Sequence, residues 1–319
     1  MRWNPGRRHK KEEQWRERRT AMKGFKEIKQ RLRAVRNTAK ITRAMQLVAS
    51  SKMHRAQQLA VGGRSYSMRL AELTDRLLAE LAKNRRRKFS HPLLGEREIC
   101  CRGIILVSTN KGLCGALNQN LFRTLPPAED SVKYVAVGKK GKQFLASRHL
   151  PLLAEFPLAD NVPFHEVRSI ADFIRDAYIR NEIDSVEVIS TVYVNTLCQR
   201  PVLQALLPLK LLGRGVEERR KFFGRELDVM PEDPRSSIIE PSPEAVMRAL
   251  VESLFRETLY HLLLEAKAAE QSARVVAMKT ATDNAESIAR ALNLEYNKAR
   301  QTAITNEIIE ISSASAAVQ

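Results

Sequence analysis

The 319-residue chain is 44% hydrophobic and 28% charged, enough to fold, but only 6% of it is aromatic, so a single conventional core looks thin and elongated helices are favoured. No apolar run approaches the roughly 18 residues needed to span a bilayer, so any membrane association is expected to go through partners. Lys and Arg total 54 against 36 Asp and Glu, and this net charge of +18 attracts nucleic acid, anionic lipid or an acidic protein surface without choosing among them.

The positive charge is concentrated near the start of the chain. Residues 1–60 carry 18 basic and 4 acidic side chains, a net charge of +14. We expect residues 1–23 to form a basic, disordered extension, with Met22 as an alternative start. Glu12, Glu13 and Glu17 argue against an organellar transit peptide, because such peptides are usually poor in acids, and no secretory apolar region is present.

Residues 24–82 are predicted to form one long helix. Phe25, Ile28, Leu32, Val35 and Ala39 recur at steps of three and four, which is an apolar stripe on one helix face. Basic residues form a second stripe with the same spacing: Lys26, Lys29, Arg33, Arg36, Lys40 and Arg43. The basic stripe fits a solvated face, DNA phosphates or an acidic protein surface, although the interleaved aromatics used for single strands are absent.

A small α/β domain is predicted over residues 83–212. Short β-rich runs alternate with helix-like stretches, which indicates a mainly parallel, Rossmann-like sheet. The predicted strands are 103–108, 132–137 and 186–194, and the predicted helices are 116–124, 139–148 and 170–180.

The segment 108–115, Ser-Thr-Asn-Lys-Gly-Leu-Cys-Gly, follows a strand and opens a helix. Backbone amides in such a turn can hold a phosphate. The glycine spacing and the Lys-Ser/Thr ending of a phosphate-binding loop are missing, and so is the dinucleotide fingerprint. A tight strand-to-helix turn is therefore the favoured interpretation.

No catalytic or metal-binding pattern is evident in the sequence. The histidines are scattered along the chain, and Cys100, Cys101, Cys114 and Cys198 show no CxxC spacing. We therefore expect reduced, mostly buried thiols, no metal, no cofactor and no enzymatic activity of the chain itself.

The C-terminal part is predicted to be a linker over residues 213–241 and a second long helix over residues 242–319. Ser242 is suited to cap this helix and Pro243 to its first turn. Neither long helix can bury its stripe alone, so an antiparallel coiled coil of the two chain ends is expected, with a thin seam of small residues. The fold class is α+β, with this coiled coil and the small α/β domain. The apolar residues from Ile308 onward predict a tip that inserts into a partner.

Three parts of the sequence resemble the gamma subunits of F-type ATP synthases. They are the run from Lys26 to Met53, which includes Thr38-Ala39-Lys40-Ile41-Thr42-Arg43-Ala44-Met45, the middle segments 111–118 and 199–208, and the run from Met278 to Glu307. The resemblance covers residues 24–318 in order. It implies the central rotor shaft of the enzyme, which transmits torque between an ion-driven c ring and the catalytic beta subunits and performs no catalysis itself.

The resemblance also implies roles for individual residues. Those implied to couple the shaft to beta are Arg43, Met45, Lys52, Arg274, Arg300, Gln301, Thr305 and Glu307. Glu240 resembles a residue facing the c ring. The implied partners are the alpha, beta, epsilon (delta in mitochondria) and c-ring subunits, with no nucleic acid. Membrane association is expected to be indirect, through the c ring, on the cytoplasmic face of a bacterial plasma membrane or, alternatively, the matrix face of the mitochondrial inner membrane.

The sequence departs from the family pattern in two ways. The extension before Met22 has no counterpart in typical bacterial forms. The chloroplast-type insertion with its close cysteine pair is missing, so thiol control of rotation is not expected.

Two rival functions remain beside the rotor shaft: a basic coiled-coil protein that binds nucleic acid, and a phosphate-handling enzyme built on the α/β domain.

Overall fold

The computed structural model describes residues 6–83, 89–95, 97–127, 129, 131–209 and 239–316. A helix stands at each end of the described chain: α1, Gly6–Lys83, and α5, Pro243–Ala316. The shorter helices between them are α2, Leu117–Arg123, α3, Lys139–Ser147, and α4, Phe164–Ile179. The strands are β1, Arg102–Val107, β2, Val132–Val137, β3, Leu152–Phe156, β4, Ser185–Tyr193, and β5, Gln199–Leu207.

The strands form one sheet in the order β3-β2-β1-β4-β5. β1 pairs in parallel with β2 and β4, β2 pairs in parallel with β3, and β5 adds antiparallel to β4. Parallel strands need a crossover connection, which the helices provide, whereas the short connection from β4 to β5 reverses the chain. The α+β class and the mainly parallel sheet are thus confirmed.

Both faces of the sheet are buried, as is usual for parallel strands. Alternate residues of one strand face opposite sides, so Ile104 and Leu106 pack with α2 and α3, while Ile105 and Val107 pack with α4 and α5. The second face also includes Leu77 and Leu81 from the end of α1. The sheet therefore depends on both long helices for one of its two apolar layers.

Several predicted elements agree with the structure to within one or two residues. The three predicted strands correspond to β1, β2 and β4, and the first two short helices to α2 and α3. Ser242 caps α5 as predicted, since its Oγ accepts a hydrogen bond from the Ala245 amide at 3.2 Å. The predicted linker, 213–241, lies outside the described residues except for its last three.

Other elements differ from the prediction. The extension expected to be disordered over residues 1–23 is helical from Gly6, because its many Arg, Lys, Glu and Gln residues favour a helix and extend one that has already nucleated. β3 and β5 were not predicted as strands: both lie at sheet edges, where a strand needs no continuous apolar run, and β5 tolerates Pro201 there. α4 begins at Phe164 rather than Ile170, directly after Pro163.

Backbone contacts divide the chain into two units. One unit contains residues 48–277, and the other contains the remaining parts of the two long helices, up to residue 47 and from residue 278. The predicted boundaries fall elsewhere, at residues 82 and 242, because the sheet packs against residues that belong to the long helices. Within the described part of the chain, no helix has a stretch apolar enough to cross a membrane.

Candidate functional site

In the unit formed by the two helix ends, α1 and α5 contact each other. The hydroxyls of Thr42 and Thr282 share a hydrogen bond at 2.7 Å, and both residues are buried. Arg36 donates to the Asn293 side chain at 3.3 Å, and Arg43 lies 4.0 Å from Glu286. The contact partner on α5 changes from Asn293 to Glu286 as the residue on α1 changes from Arg36 to Arg43, so these segments run antiparallel.

The paired hydroxyls give the first testable prediction. Changing Thr282 to valine keeps the shape but removes one partner of a buried hydrogen bond, so we expect a loss of about 1 kcal/mol in the free energy of unfolding. Urea unfolding of the full chain, followed by far-UV circular dichroism, measures it. The double variant T42V/T282V should lose less than the sum of the two single losses, because each single variant already breaks the same hydrogen bond between the two hydroxyls. Strict additivity would contradict the pairing.

The predicted basic stripe lies on the outside of this unit. All six of its residues are exposed in the structure: Lys26, Lys29, Arg33, Arg36, Lys40 and Arg43. Of the apolar stripe, Leu32 is only 6% exposed, and Ile28, Val35 and Ala39 are half-buried. The basic face is therefore available to an acidic surface.

In the larger unit, charged side chains from three segments form a connected cluster, which we call the ionic chain: Lys52, Asp160, Lys267, Glu270 and Arg274. The Asp160 carboxylate lies 2.6 Å from Lys52 Nζ and 3.7 Å from Lys267 Nζ. Glu270 lies 3.0 Å from Lys267 and 2.9 Å from Arg274. The charges alternate in sign along the ionic chain, so each of its inner ions lies between two ions of opposite charge.

The ionic chain ends at the turn formed by residues 108–115. Arg274 donates to the backbone carbonyls of Lys111 and Gly112, each at 3.3 Å. Leu113 and Gly115 both have a φ of 62°, as expected in a tight turn. The turn therefore presents these two carbonyl oxygens to a cation, which supports the predicted structural turn.

Burial and charge act in opposite directions on Asp160. Burial raises the pKa of its carboxyl, but the hydrogen bond from Lys52 and the charges of Lys267, Lys52 and Lys111 outweigh burial and bring the pKa below its usual value. A carboxyl with a lowered pKa stabilises the fold above its unfolded pKa, and that contribution is lost as the pH falls through the folded pKa. The ion pairs of Asp160 are thus intact at neutral pH.

Comparison with known proteins gives the family. The family model described as ATP synthase matches residues 24–318. The ATP synthase gamma chain of Opitutus terrae is 45% identical over 293 residues, which is 92% of this chain and 98% of the relative. That of Methylacidiphilum infernorum is 38% identical and covers 91% of this chain and 97% of the relative. This chain belongs to the ATP synthase gamma chain family.

Solved structures agree with this chain in fold. A chain from the central stalk and c-ring structure of Tetrahymena thermophila mitochondrial ATP synthase matches with a TM-score of 0.54 and 22% identity, over 76% of this chain and 99% of that one. A chain of the Euglena gracilis mitochondrial ATP synthase matches with a TM-score of 0.61 and 16% identity, over 92% of this chain and 94% of that one. The predicted family is confirmed by the sequence matches, and these structures support the α+β fold class.

Most of the predicted coupling residues are exposed. Arg43, Arg300, Gln301, Thr305 and Glu307 are exposed on the two helix ends, and Met45 is half-buried on α1. Their roles remain predictions.

Lys52 and Arg274 differ from the other predicted coupling residues of the gamma chain. Both belong to the ionic chain. Lys52 already has a carboxylate partner in Asp160, and Arg274, which is 8% exposed, makes its hydrogen bonds inside the chain. Arg274 thus contacts the turn at Lys111 and Gly112, and its role in coupling to beta stays a prediction. Glu240 is exposed at the edge of the described residues.

Three members of the ionic chain, Asp160, Lys267 and Glu270, were not identified from the sequence. A signal was present, because Lys267, Glu270 and Arg274 recur at steps of three and four in an alanine-rich stretch of α5. Charged residues with core spacing indicate buried ion pairs. Asp160 gave no such signal, since its partners are distant in sequence.

Cys114 provides a second prediction. Burial is the largest influence on the Cys114 thiol and raises its pKa; Arg274 opposes this effect and Glu270 adds to it. A higher pKa leaves less thiolate at a given pH, so we expect Cys114 to be alkylated at least about tenfold more slowly than exposed Cys100 at pH 8. A time course with N-ethylmaleimide, resolved by tandem mass spectrometry, measures both. Equal rates would contradict the burial of Cys114.

Among the described residues, no group of His, Cys, Asp or Glu has the arrangement of a metal site. The candidate site is thus a set of surfaces and buried ion pairs on long helices.

Proposed function

We propose that this chain is the central rotor shaft of an F-type ATP synthase, transmitting torque between an ion-driven c ring and the catalytic beta subunits during ATP synthesis or hydrolysis. The observation that carries the proposal is a single family match, which includes the α/β domain and most of both long helices. The matches to bacterial gamma chains support it, because they cover nearly all of this chain and nearly all of each relative. Family membership therefore favours this role over the nucleic-acid-binding alternative.

The shaft in this proposal is an antiparallel coiled coil of the two chain ends. The contacts of Arg36 with Asn293 and of Arg43 with Glu286 support it, since both join α1 to α5 in an antiparallel sense. Small buried residues at the seam, such as Ala285, allow the helices to approach closely. A thin shaft of this kind fits inside a ring of larger subunits.

The chain is proposed to have no catalytic role of its own. An asymmetric shaft contacts each of the surrounding beta subunits differently in any one orientation. Because a contact shifts a conformational equilibrium only by its differential free energy, rotation changes the nucleotide affinity of each beta site in turn. The shaft supplies these differential contacts, and the bond chemistry takes place in beta.

The proposed arrangement assigns an end of the chain to each partner. The exposed basic face of α1 and the exposed end of α5, with Arg43, Met45, Arg300, Gln301, Thr305 and Glu307, would face alpha and beta. The α/β domain and Glu240 would form the foot, in contact with epsilon (delta in mitochondria) and the c ring. The complex would lie on the cytoplasmic face of the plasma membrane, and its bacterial relatives support that location.

One experiment tests the assignment directly. The chain is purified with an affinity tag from its native membranes, and the proteins recovered with it are identified by mass spectrometry. Recovery of alpha, beta and epsilon is the expected result. Recovery of nucleic acid in their place, with an affinity that falls steeply as salt rises, would identify the basic coiled-coil alternative.

Met45 gives a functional prediction under this proposal. Changing Met45 to lysine adds a cation on the α1 surface proposed to pass an acidic loop of beta. An added ion pair of about 0.5–1 kcal/mol in one orientation should lower proton pumping per ATP hydrolysed by about two- to fivefold. The ratio is measured in inverted membrane vesicles. Met45→Gln, which adds no charge, is the matched control, and an unchanged ratio in Met45→Lys would exclude this role of Met45.

A further inference from the structure

The loop between β3 and α4 carries a carboxylate that contacts both long helices. Asp160 Oδ2 accepts a hydrogen bond from Lys52 of α1 at 2.6 Å. Its other oxygen, Oδ1, lies 3.7 Å from Nζ of Lys267 on α5. One side chain of the α/β domain thus joins the helices from the two ends of the chain.

The bridge is exposed at one end and buried at the other. The side chain of Lys52 is 43% exposed and that of Asp160 is 34% exposed, whereas Lys267 and Glu270 are each 4% exposed. A buried ammonium group is costly without anions beside it, and the structure places Asp160 and Glu270 beside Lys267. Asp160 is therefore required by a buried cation as well as by a surface one.

The remaining contact between the α/β domain and the long helices combines an apolar face with polar contacts to α5, such as the pair of Arg256 with Asp172 at 2.9 Å and the hydrogen bond from Ser272 to the Thr196 carbonyl at 3.0 Å. Val251, Phe255 and Leu259 of α5 pack on the same sheet face as Leu77 and Leu81 of α1. The apolar side chains are close-packed and resist displacement over the whole face, but the hydrophobic effect itself is non-directional. An ion pair loses its geometry over a small displacement, because its hydrogen bonds depend on distance and angle.

We propose that Asp160 is a positioning residue for torque transmission: together with Lys52 and Lys267 it fixes the α/β domain against both long helices, so that force applied to the domain turns the helices without slip. This inference rests on the proposed rotor function. It assigns to Lys52 an internal partner, in addition to its predicted contact with beta.

The test uses inverted membrane vesicles that contain the complete enzyme with this chain. Proton pumping and ATP hydrolysis are measured on the same vesicles, and the alpha and beta retained are quantified by immunoblot. Asp160→Asn removes the charge at nearly constant volume, so pumping per ATP hydrolysed should fall at least about threefold, while hydrolysis per retained complex falls less than about twofold. Asp160→Glu, which keeps the charge, should restore most of the ratio, a rescue that a purely steric role would not give.

The matched control removes an ion pair that lies entirely within the α/β domain. Glu155 of β3 pairs with Lys142 of α3, and both side chains are about half exposed. Glu155→Gln makes the same chemical change without touching either long helix. An unchanged pumping ratio is expected for it.

A double-mutant cycle with Lys52→Gln separates the two roles of Lys52. If Lys52 acts through Asp160, Lys52→Gln lowers the ratio, and Lys52→Gln/Asp160→Asn is no worse than Asp160→Asn alone. Effects that multiply would mean that Lys52 acts elsewhere and would overturn the inference. Unchanged pumping per ATP hydrolysed in Asp160→Asn would also overturn the inference. If Asp160→Asn membranes retain no complex, Lys52→Gln decides instead, and an unchanged pumping ratio in that variant would overturn the inference. Wild-type vesicles that fail to pump would overturn the rotor assignment instead.

Discussion

Replacing Gly138 with alanine is expected to destabilise the α/β domain by about 3–5 kcal/mol. Gly138 joins β2 to α3 with a φ of 100°, a conformation that residues with a side chain rarely adopt. A Cβ at this position would lie 2.3 Å from the carbonyl oxygen of Ser108, inside any allowed contact. Ser108 would have to move, although its hydroxyl accepts a hydrogen bond from the Gly141 amide at 2.7 Å. One added methyl group thus disturbs the ends of two adjacent strands.

Urea unfolding of the full chain, followed by near-UV circular dichroism, measures the change, because Tyr134 and Tyr178 are fully buried in this domain. The matched control is Gly112→Ala, where an added Cβ meets no heavy atom within 4 Å. That variant should stay within about 0.5 kcal/mol of wild type. Similar unfolding midpoints for the two variants would mean that the turn at Gly138 is not packed as described.

Changing Glu270 to leucine is the second prediction with a large expected effect. Glu270 lies between Lys267 and Arg274, at 3.0 and 2.9 Å, and its side chain is 4% exposed. Its removal leaves two buried cations with less compensation, which typically costs about 3–5 kcal/mol. Near-UV circular dichroism during urea unfolding again measures the loss.

The double variant Glu270→Leu/Lys267→Met makes this prediction specific to charge. It replaces the buried pair by apolar side chains of similar size, and such replacements are often neutral or stabilising. We therefore expect the double variant to be more stable than Glu270→Leu alone. If adding Lys267→Met destabilised the chain further, packing of the lysine stem would matter more than its charge.

The ionic chain has a meaning for the proposed function beyond stability. In the proposed shaft, force on the α/β domain has to reach the long helices, and ion pairs add directional contacts to the close-packed apolar face. Lys52, Asp160 and Lys267 come from α1, the β3–α4 loop and α5, so they connect the three parts that have to turn together. Arg274 adds the turn at Lys111 and Gly112.

The sequence by itself determined the elements whose signal is local. The periodic stripe from Phe25 to Ala39 predicted a long helix, because residues three and four apart share a face of any helix. Ser242 and Pro243 predicted where α5 begins, since capping involves residues within one turn. The apolar runs of β1, β2 and β4 predicted a mainly parallel sheet, because strands buried on both faces need continuous apolar residues. The family followed from long matched segments.

Only the tertiary structure decided which distant residues meet. Asp160 lies more than 100 residues from both Lys52 and Lys267, and no local pattern encodes such a pairing. The edge strands β3 and β5 were missed because half-exposed strands lack the apolar run that identifies a central one. Arg274 could be placed on a helix from its spacing, but not on the inside of the molecule. Its burial depends on the turn at Lys111 and Gly112, whose carbonyls it reaches only once the sheet has formed.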